Sequence, residues 1–318
     1  MRGRPPPKKS RVGFSDYEEV RLVPWVRCGW TPVPASRPSW WVSHAAFPTV
    51  ISAAGNEFDL LVSSRDGLQK SSCAYLTVEL QDQDLQVTHF AKEPLLEPGQ
   101  PGCFDESGVN VTHAQLSDGE LTVWYHGWVL KRDGGWLNSI GCARGTLQHG
   151  LKRISSAPTF DRGPEDPTSL GYPFWLDFPT GRTLLYCSYD VYGVPPLGQP
   201  YSYRVKAASG PSLIRTGPLL PHTGTLEAQS RPTVVYFSGR YRMFLSVKGP
   251  LYHIRGAESQ DGITWSWSSD EWSLHPSGSG GEVSEVAYSF VFEHEGQLLM
   301  FYNGDSHGET GLGLARWQ

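Results

Sequence analysis

One phrase recurs five times along this chain: a glycine in a tight turn, then a strand of aromatic and aliphatic residues that ends in polar groups. The copies read AAGNEFDLLVSSRD, SDGELTVWYHGW, PTGRTLLYCSYD, FSGRYRMFLSVK and HEGQLLMFYNGD. Their glycines, Gly55, Gly119, Gly181, Gly239 and Gly296, are spaced 64, 62, 58 and 57 residues apart. A period near sixty, repeated five times, specifies a radial array of small sheets, one per repeat. The fold class expected is therefore all-β: a five-bladed β-propeller with almost no helix.

Each repeat divides into consecutive antiparallel strands. A first strand with a proline or polar start (HAAFPTVI, LGYPFWLDF, SRPTVVYF) leads into the glycine turn, because a hairpin needs a residue tolerant of positive φ. The recurring phrase is the second strand. A third strand ends in small residues, expected to let neighbouring sheets approach. Asp261-Gly262-Ile263-Thr264-Trp265 reads as a turn into an outer strand with a packing Trp. The last repeat stops at Gln318 without a fourth strand, and an unpaired edge invites aggregation. The segment Glu18–Val26 is the natural donor, so the ring is expected to close by an N-terminal strand in the last blade.

Hydrophobic residues make up 39% and charged residues 19%, enough apolar material for one core and too little charge for a disordered chain. Residues 1–14 are basic and Pro-rich and read as a disordered tail; 15–318 read as one domain. A net charge of −5 argues against nucleic acid as a partner. No run approaches the roughly 20 apolar residues of a membrane span. Five widely spaced cysteines without CxxC suit reduced thiols, and with no secretory signal they point to the cytoplasm. The histidines show no HxxxH or HxH spacing, so neither metal nor other cofactor is expected. Oligomeric state is left open.

In such an array the start of each first strand and the end of each second strand fall on one face around the axis. That rule selects His44, Arg65 and Asp66 from the first repeat, and Asp105, His126 and Trp128 from the second. Glu106 also falls in the second; Asp166, Tyr172, Tyr189 and Asp190 come from the third, Glu227, Arg231 and Lys248 from the fourth, and Glu285, Tyr288, Asn303 and Asp305 from the fifth. Carboxylates facing one another across a narrow mouth suit glycosidic bond cleavage, one protonated as acid and one ionised. Arg65 and Arg231 can hold carboxylates charged or bind substrate anions. Trp128 and the tyrosines offer flat faces to a sugar. Plainer roles stand beside these: Asp66 and Asp105 also fit turns, and Glu227 also fits an ion pair with Arg231.

The stretches PGQPGCFDESGV, EAQSRPTVVYFSGRYRMFLS, YHIRGAESQDGITW and FYNGDSHGETGLGLA resemble the five-bladed propeller superfamily of glycoside hydrolase families 43, 32 and 130, in an uncharacterised bacterial branch. The likeness runs from about Trp25 to the end. It implies a carbohydrate-active enzyme acting on a small glycoside, sugar nucleotide or glycosylated metabolite. Two family positions depart: the first inner strand reads His44-Ala45-Ala46-Phe47-Pro48 where family 43 has an Asp, and the third reads Ser169-Leu170-Gly171-Tyr172-Pro173 where it has a Glu. Only Asp105 or Glu106 matches the second-blade acid. The expected set is thus Glu227 as general acid, Asp105 as base or nucleophile and Glu285 in support. His44, Arg65, Asp66, His126, Trp128, Tyr189, Arg231, Lys248 and Asn303 are expected to bind substrate. Phosphorolysis, a cyclase, isomerase or dehydratase reaction, and a lectin-like glycan binder are the alternatives.

Overall fold

The computed structural model describes residues 24–132, 134–178, 181–189, 202–221, 228–249 and 251–318. The expected tail at 1–14 lies outside them, as do Asp190, Glu227 and most of the expected donor segment.

The described chain is all-β, with helix confined to Asp270–Trp272 and the turn Asp305–Gly308. After β1 (Trp25–Thr31) the strands follow in antiparallel meanders. The first is β2 (Ser43–Ala54), β3 (Glu57–Arg65), β4 (Ser71–Gln81) and β5 (Asp84–Phe90). The second is β6 (Gly108–Ser117), β7 (Glu120–Leu130), β8 (Trp136–Thr146) and β9 (Gly150–Arg153). The third is β10 (Leu170–Phe178), β11 (Gly181–Tyr189), β12 (Tyr203–Ser209) and β13 (Ile214–Pro218). The fourth is β14 (Ala228–Phe237), β15 (Arg240–Lys248), β16 (Tyr252–Ser259) and β17 (Ser266–Trp267). The last meander, β18 (Ala287–His294), β19 (Gln297–Asn303) and β20 (Leu312–Trp317), takes β1 as its outer strand. The strand that pairs there is Trp25–Thr31, shifted towards the C-terminus of the expected donor; Trp25 lies opposite Trp317. Its indole is 1% exposed and packs edge-on against Phe244 of the fourth meander, so the added strand carries core material with it.

The five repeat glycines all take positive φ, between 55° and 138°, with open space where a Cβ would stand. Their requirement is conformational rather than steric. Two glycines of the third strands also serve a purpose within their own sheets. Gly141 lies directly opposite Tyr125, and Gly313 opposite Tyr302. A Cβ on either would come within 2.4 or 2.5 Å of that phenol ring. The glycines make room for an aromatic ring of the neighbouring strand in their own sheet.

The first strands pack on one another in succession, β2 on β6, β6 on β10, β10 on β14, β14 on β18, and β18 on β2. Each also slips register at the same place: between Ala46 and Thr49, Val111 and His113, Gly171 and Phe174, Ser230 and Thr233, and Ala287 and Phe290. Phe47, Tyr172, Arg231 and Tyr288 occupy four of these bulges with φ of 57°, 55°, 49° and 55°. A bulge re-aims a side chain, and left-handed backbone at bulky residues is strained. Pro48, Pro173 and Pro232 follow three of them, consistent with proline's confinement to bulges inside sheets.

Candidate functional site

Three of the bulge residues form an aromatic floor. Phe47 lies 4.2 Å from Tyr288 and 5.8 Å from Tyr172 between ring centroids, and His126 stands edge-on to Tyr172 at 4.6 Å. Above this floor opens a cavity of about 410 Å³, within the range of small-molecule sites. Its wall is made where the second strands end, as the geometric rule requires: Arg65 from β3, Trp128 from β7, Tyr189 from β11 and Lys248 from β15.

The third strands add what the rule missed. They run back beside those ends, so Asn138 lies opposite Trp128, Tyr203 opposite Tyr189 and Tyr252 opposite Lys248. All three line the cavity. Antiparallel pairing alone would have found them. The Tyr203 and Tyr252 hydroxyls are 2.6 Å apart, and Asn138 Nδ2 donates to the Tyr189 hydroxyl at 3.1 Å. Burial, reinforced by neighbouring phenols, holds Tyr172, Tyr203 and Tyr288 well above the usual tyrosine range. They are neutral hydroxyls, suited to exchanging hydrogen bonds with a polyol.

His44 and His126 both line the cavity. Burial, with Arg65 nearby, lowers His44 to about 4 and His126 to about 3. Away from the cavity, His113 is buried between Trp124 and Phe174 and is likewise lowered to about 3 by burial. An unfolded chain protonates these imidazoles near pH 6.5, whereas the folded one resists until about pH 3–4. Stability is therefore expected to be full above about pH 6.5 and to fall as pH drops towards 4. Melting temperature against pH measures this, and His113→Phe should flatten the fall.

His307, absent from the sequence-derived set, lines the cavity from the turn after β19. Its Nδ1 lies 2.7 Å from Glu285 Oε1. The same turn holds Glu285 in place: Asp305 accepts the backbone N–H groups of Val283, Ser284 and Glu285 at 2.7, 2.8 and 2.8 Å. Ser306 and His307 both adopt left-handed backbone, φ 56° and 59°. Two successive non-glycine residues in that region are costly and persist only where surrounding contacts enforce them. The imidazole is thus oriented by a carboxylate, and the carboxylate by a second one.

Several expected residues sit elsewhere. Asp105 is fully buried behind β7, accepting from Tyr125 at 3.0 Å and pairing with Arg153 at 2.7 Å. The same clasp recurs: Asp166 takes Tyr186, Lys206 and Arg215, and Glu282 pairs with Arg27 beside Tyr302. Each acid stands twenty residues before its tyrosine. Asp105 is therefore a sheet fastener and does not face the cavity. Glu106 caps the exposed Gly102 amide. Asp66 accepts the amides of Leu68 and Lys70, both at 2.8 Å, and shapes a hairpin. Asn303 is turned under the floor, accepting from Phe47 N at 2.9 Å and donating to Ala45 and Gly311 carbonyls. It satisfies backbone groups that the β2 bulge leaves unpaired.

Arg231 is also beneath the floor, fully buried, donating to the carbonyls of Tyr288 and Pro48 and to Thr49 Oγ1. Burial pushes it down to about 9. It rivets β14 to β18 and β2 and is not open to substrate. Asp261 is the turn residue expected, capping Ile263 and Thr264. Glu285 supports His307 without itself lining the cavity. No carboxylate lines the cavity among the described residues, and no cluster there could hold a metal.

No family model matches the chain. It is 30% identical over 294 residues to "Uncharacterized protein Rv1502" of Mycobacterium tuberculosis (strain ATCC 25618 / H37Rv), covering 92% of this chain and 98% of the relative. The same identity and coverage hold for "Uncharacterized protein MT1551" of the strain CDC 1551 / Oshkosh. Among solved structures, one titled "Glycoside hydrolase" aligns over 93% of this chain and 92% of its own, with TM-score 0.67 and 15% identity. A thermostable family-43 glycoside hydrolase aligns over 89% and 91%, with TM-score 0.61 and 15% identity. At such identities the likeness establishes the fold.

Proposed function

We propose that this chain, which belongs to one family with the mycobacterial proteins Rv1502 and MT1551, is a carbohydrate-active enzyme built as a five-bladed propeller, closed by β1 in its last blade. The site is the central cavity. The reading is supported by the frame it shares with structures titled as glycoside hydrolases, and by an aromatic, hydroxyl-rich wall suited to a sugar ring. The observation that carries it is the Glu285–His307 pair at the cavity edge. In this reading His307 takes a proton from water or a substrate hydroxyl as that oxygen attacks, and Glu285 balances the imidazolium. The proton returns to the leaving oxygen. This replaces the carboxylate pair expected from sequence, since Asp105 is committed to its clasp.

A second reading, a lectin-like glycan binder, is favoured by the lack of any carboxylate among the described lining residues. A panel of aryl glycosides and sugar nucleotides, with and without phosphate, separates the two. The enzyme reading expects release of aglycone or nucleotide from at least one compound. Saturable binding with no product after long incubation favours the binder. Neither binding nor turnover overturns both.

A further inference from the structure

The cavity has a charge and a rim that a neutral sugar does not need. Arg65 and Lys248 line it, and neither forms an ion pair with a described residue. Instead the Arg65 guanidinium lies 5.1 Å over the Trp128 ring, and Lys248 Nζ 5.1 Å over Tyr252. Two cations against aromatic faces, with no acid among the described lining residues, leave positive charge for a ligand to neutralise. Cations in this setting suit an oxyanion.

Directly beyond these side chains the hairpin tips expose aliphatic residues. Leu68 follows Arg65 by three positions and is 79% exposed; Leu251 follows Lys248 by three and is 55% exposed. Leu130, two residues after Trp128, lines the cavity and is 57% exposed. Single exposed leucines are ordinary on a protein surface. Leu68 and Leu251 each follow a wall residue by three positions, and Leu130, at the end of β7, lines the cavity itself, so all three stand beside the wall. The same hairpins carry Lys70 and Arg132. Asp66, the described acid there, is held in its turn by two backbone amides and acts on Arg65 through its charge.

We propose that the cavity accepts the acidic head of an amphiphile, with the oxyanion against Arg65 and Lys248 and the first part of an apolar chain lying across Leu68, Leu130 and Leu251. On the reading given above, this makes the substrate a sugar compound that carries both a phosphate-type group and a hydrocarbon chain. The inference rests on that reading only in placing the substrate in this cavity.

The test is titration calorimetry of the full chain with four probes below their micelle concentrations: inorganic phosphate, butyl phosphate, octyl phosphate and octyl glucoside. One site per chain is expected, with octyl phosphate bound at least tenfold more tightly than either inorganic phosphate or octyl glucoside. Arg65→Met with Lys248→Met should abolish the advantage of octyl phosphate over octyl glucoside. A triple variant, Leu68→Ser, Leu130→Ser and Leu251→Ser, should abolish its advantage over butyl phosphate; its unchanged melting temperature would show the fold intact. Equal affinities, many weak sites per chain, or a chain preference that survives the triple variant would overturn the proposal. Turnover of neutral glycosides with no response to charge or chain would sink it while leaving the carbohydrate reading standing. One-site binding of octyl phosphate without turnover of any glycoside would do the reverse.

Discussion

Replacing His307 by Gln is expected to lower kcat on the best substrate of the panel by about 10²- to 10⁴-fold, the usual contribution of a positioned acid–base group. KM should change little, because the glutamine still fills the space at the cavity edge. The side chain is 51% exposed, so the melting temperature should hold. Glu285→Ala removes the acceptor that orients Nδ1 and should cost a smaller factor. The two residues act as one unit, so the double variant should be no slower than His307→Gln alone. Unreduced turnover in His307→Gln would end the assignment. Two losses that multiply would show Glu285 acting independently of His307.

How far the site could be read from sequence turns on which strand ends were considered. The repeat glycines located the hairpins, and antiparallel geometry then placed Arg65, Trp128, Tyr189 and Lys248 around one mouth, where they stand. Asn303 obeys the same periodicity but not the same direction. The bulge at Phe47 leaves an amide and a carbonyl that a short polar side chain can satisfy from below, and Asn303 is spent there. The third-strand residues Asn138, Tyr203 and Tyr252 were open to inference from pairing, yet a rule limited to first and second strands passes over them. His307 had no periodic signal, since among the described residues its turn has no counterpart in the other repeats. Its backbone strain is visible only in three dimensions.

Asp105 departs from expectation for a different reason. A carboxylate beside an inner strand is expected to face the axis, but in this fold a buried acid such as Asp105 is instead engaged within its own sheet. The spacing held a warning. Asp105 and Tyr125, Asp166 and Tyr186, and Glu282 and Tyr302 share one interval in three repeats. A catalytic group is needed once, whereas a fastener is useful in every blade.

That argument makes Asp105 the sharpest test of structural against chemical roles. Asp105→Ala leaves the Arg153 guanidinium and the Tyr125 hydroxyl without their common acceptor in a closed environment. Removing one member of a buried ion pair costs about 3–5 kcal/mol. Arg153 is 23% exposed, so water recovers part of its solvation and the low end, about 3 kcal/mol, is expected. A fall of about 5 °C or more in melting temperature should follow. Turnover per folded molecule, measured well below the transition, should stay near wild type. Combining Asp105→Leu with Arg153→Met should restore much of the stability, because an apolar pair of similar volume avoids the desolvation that both charges suffer. A catalytic Asp105 makes the opposite pattern: a stable fold, an inactive enzyme, and no rescue by the apolar pair.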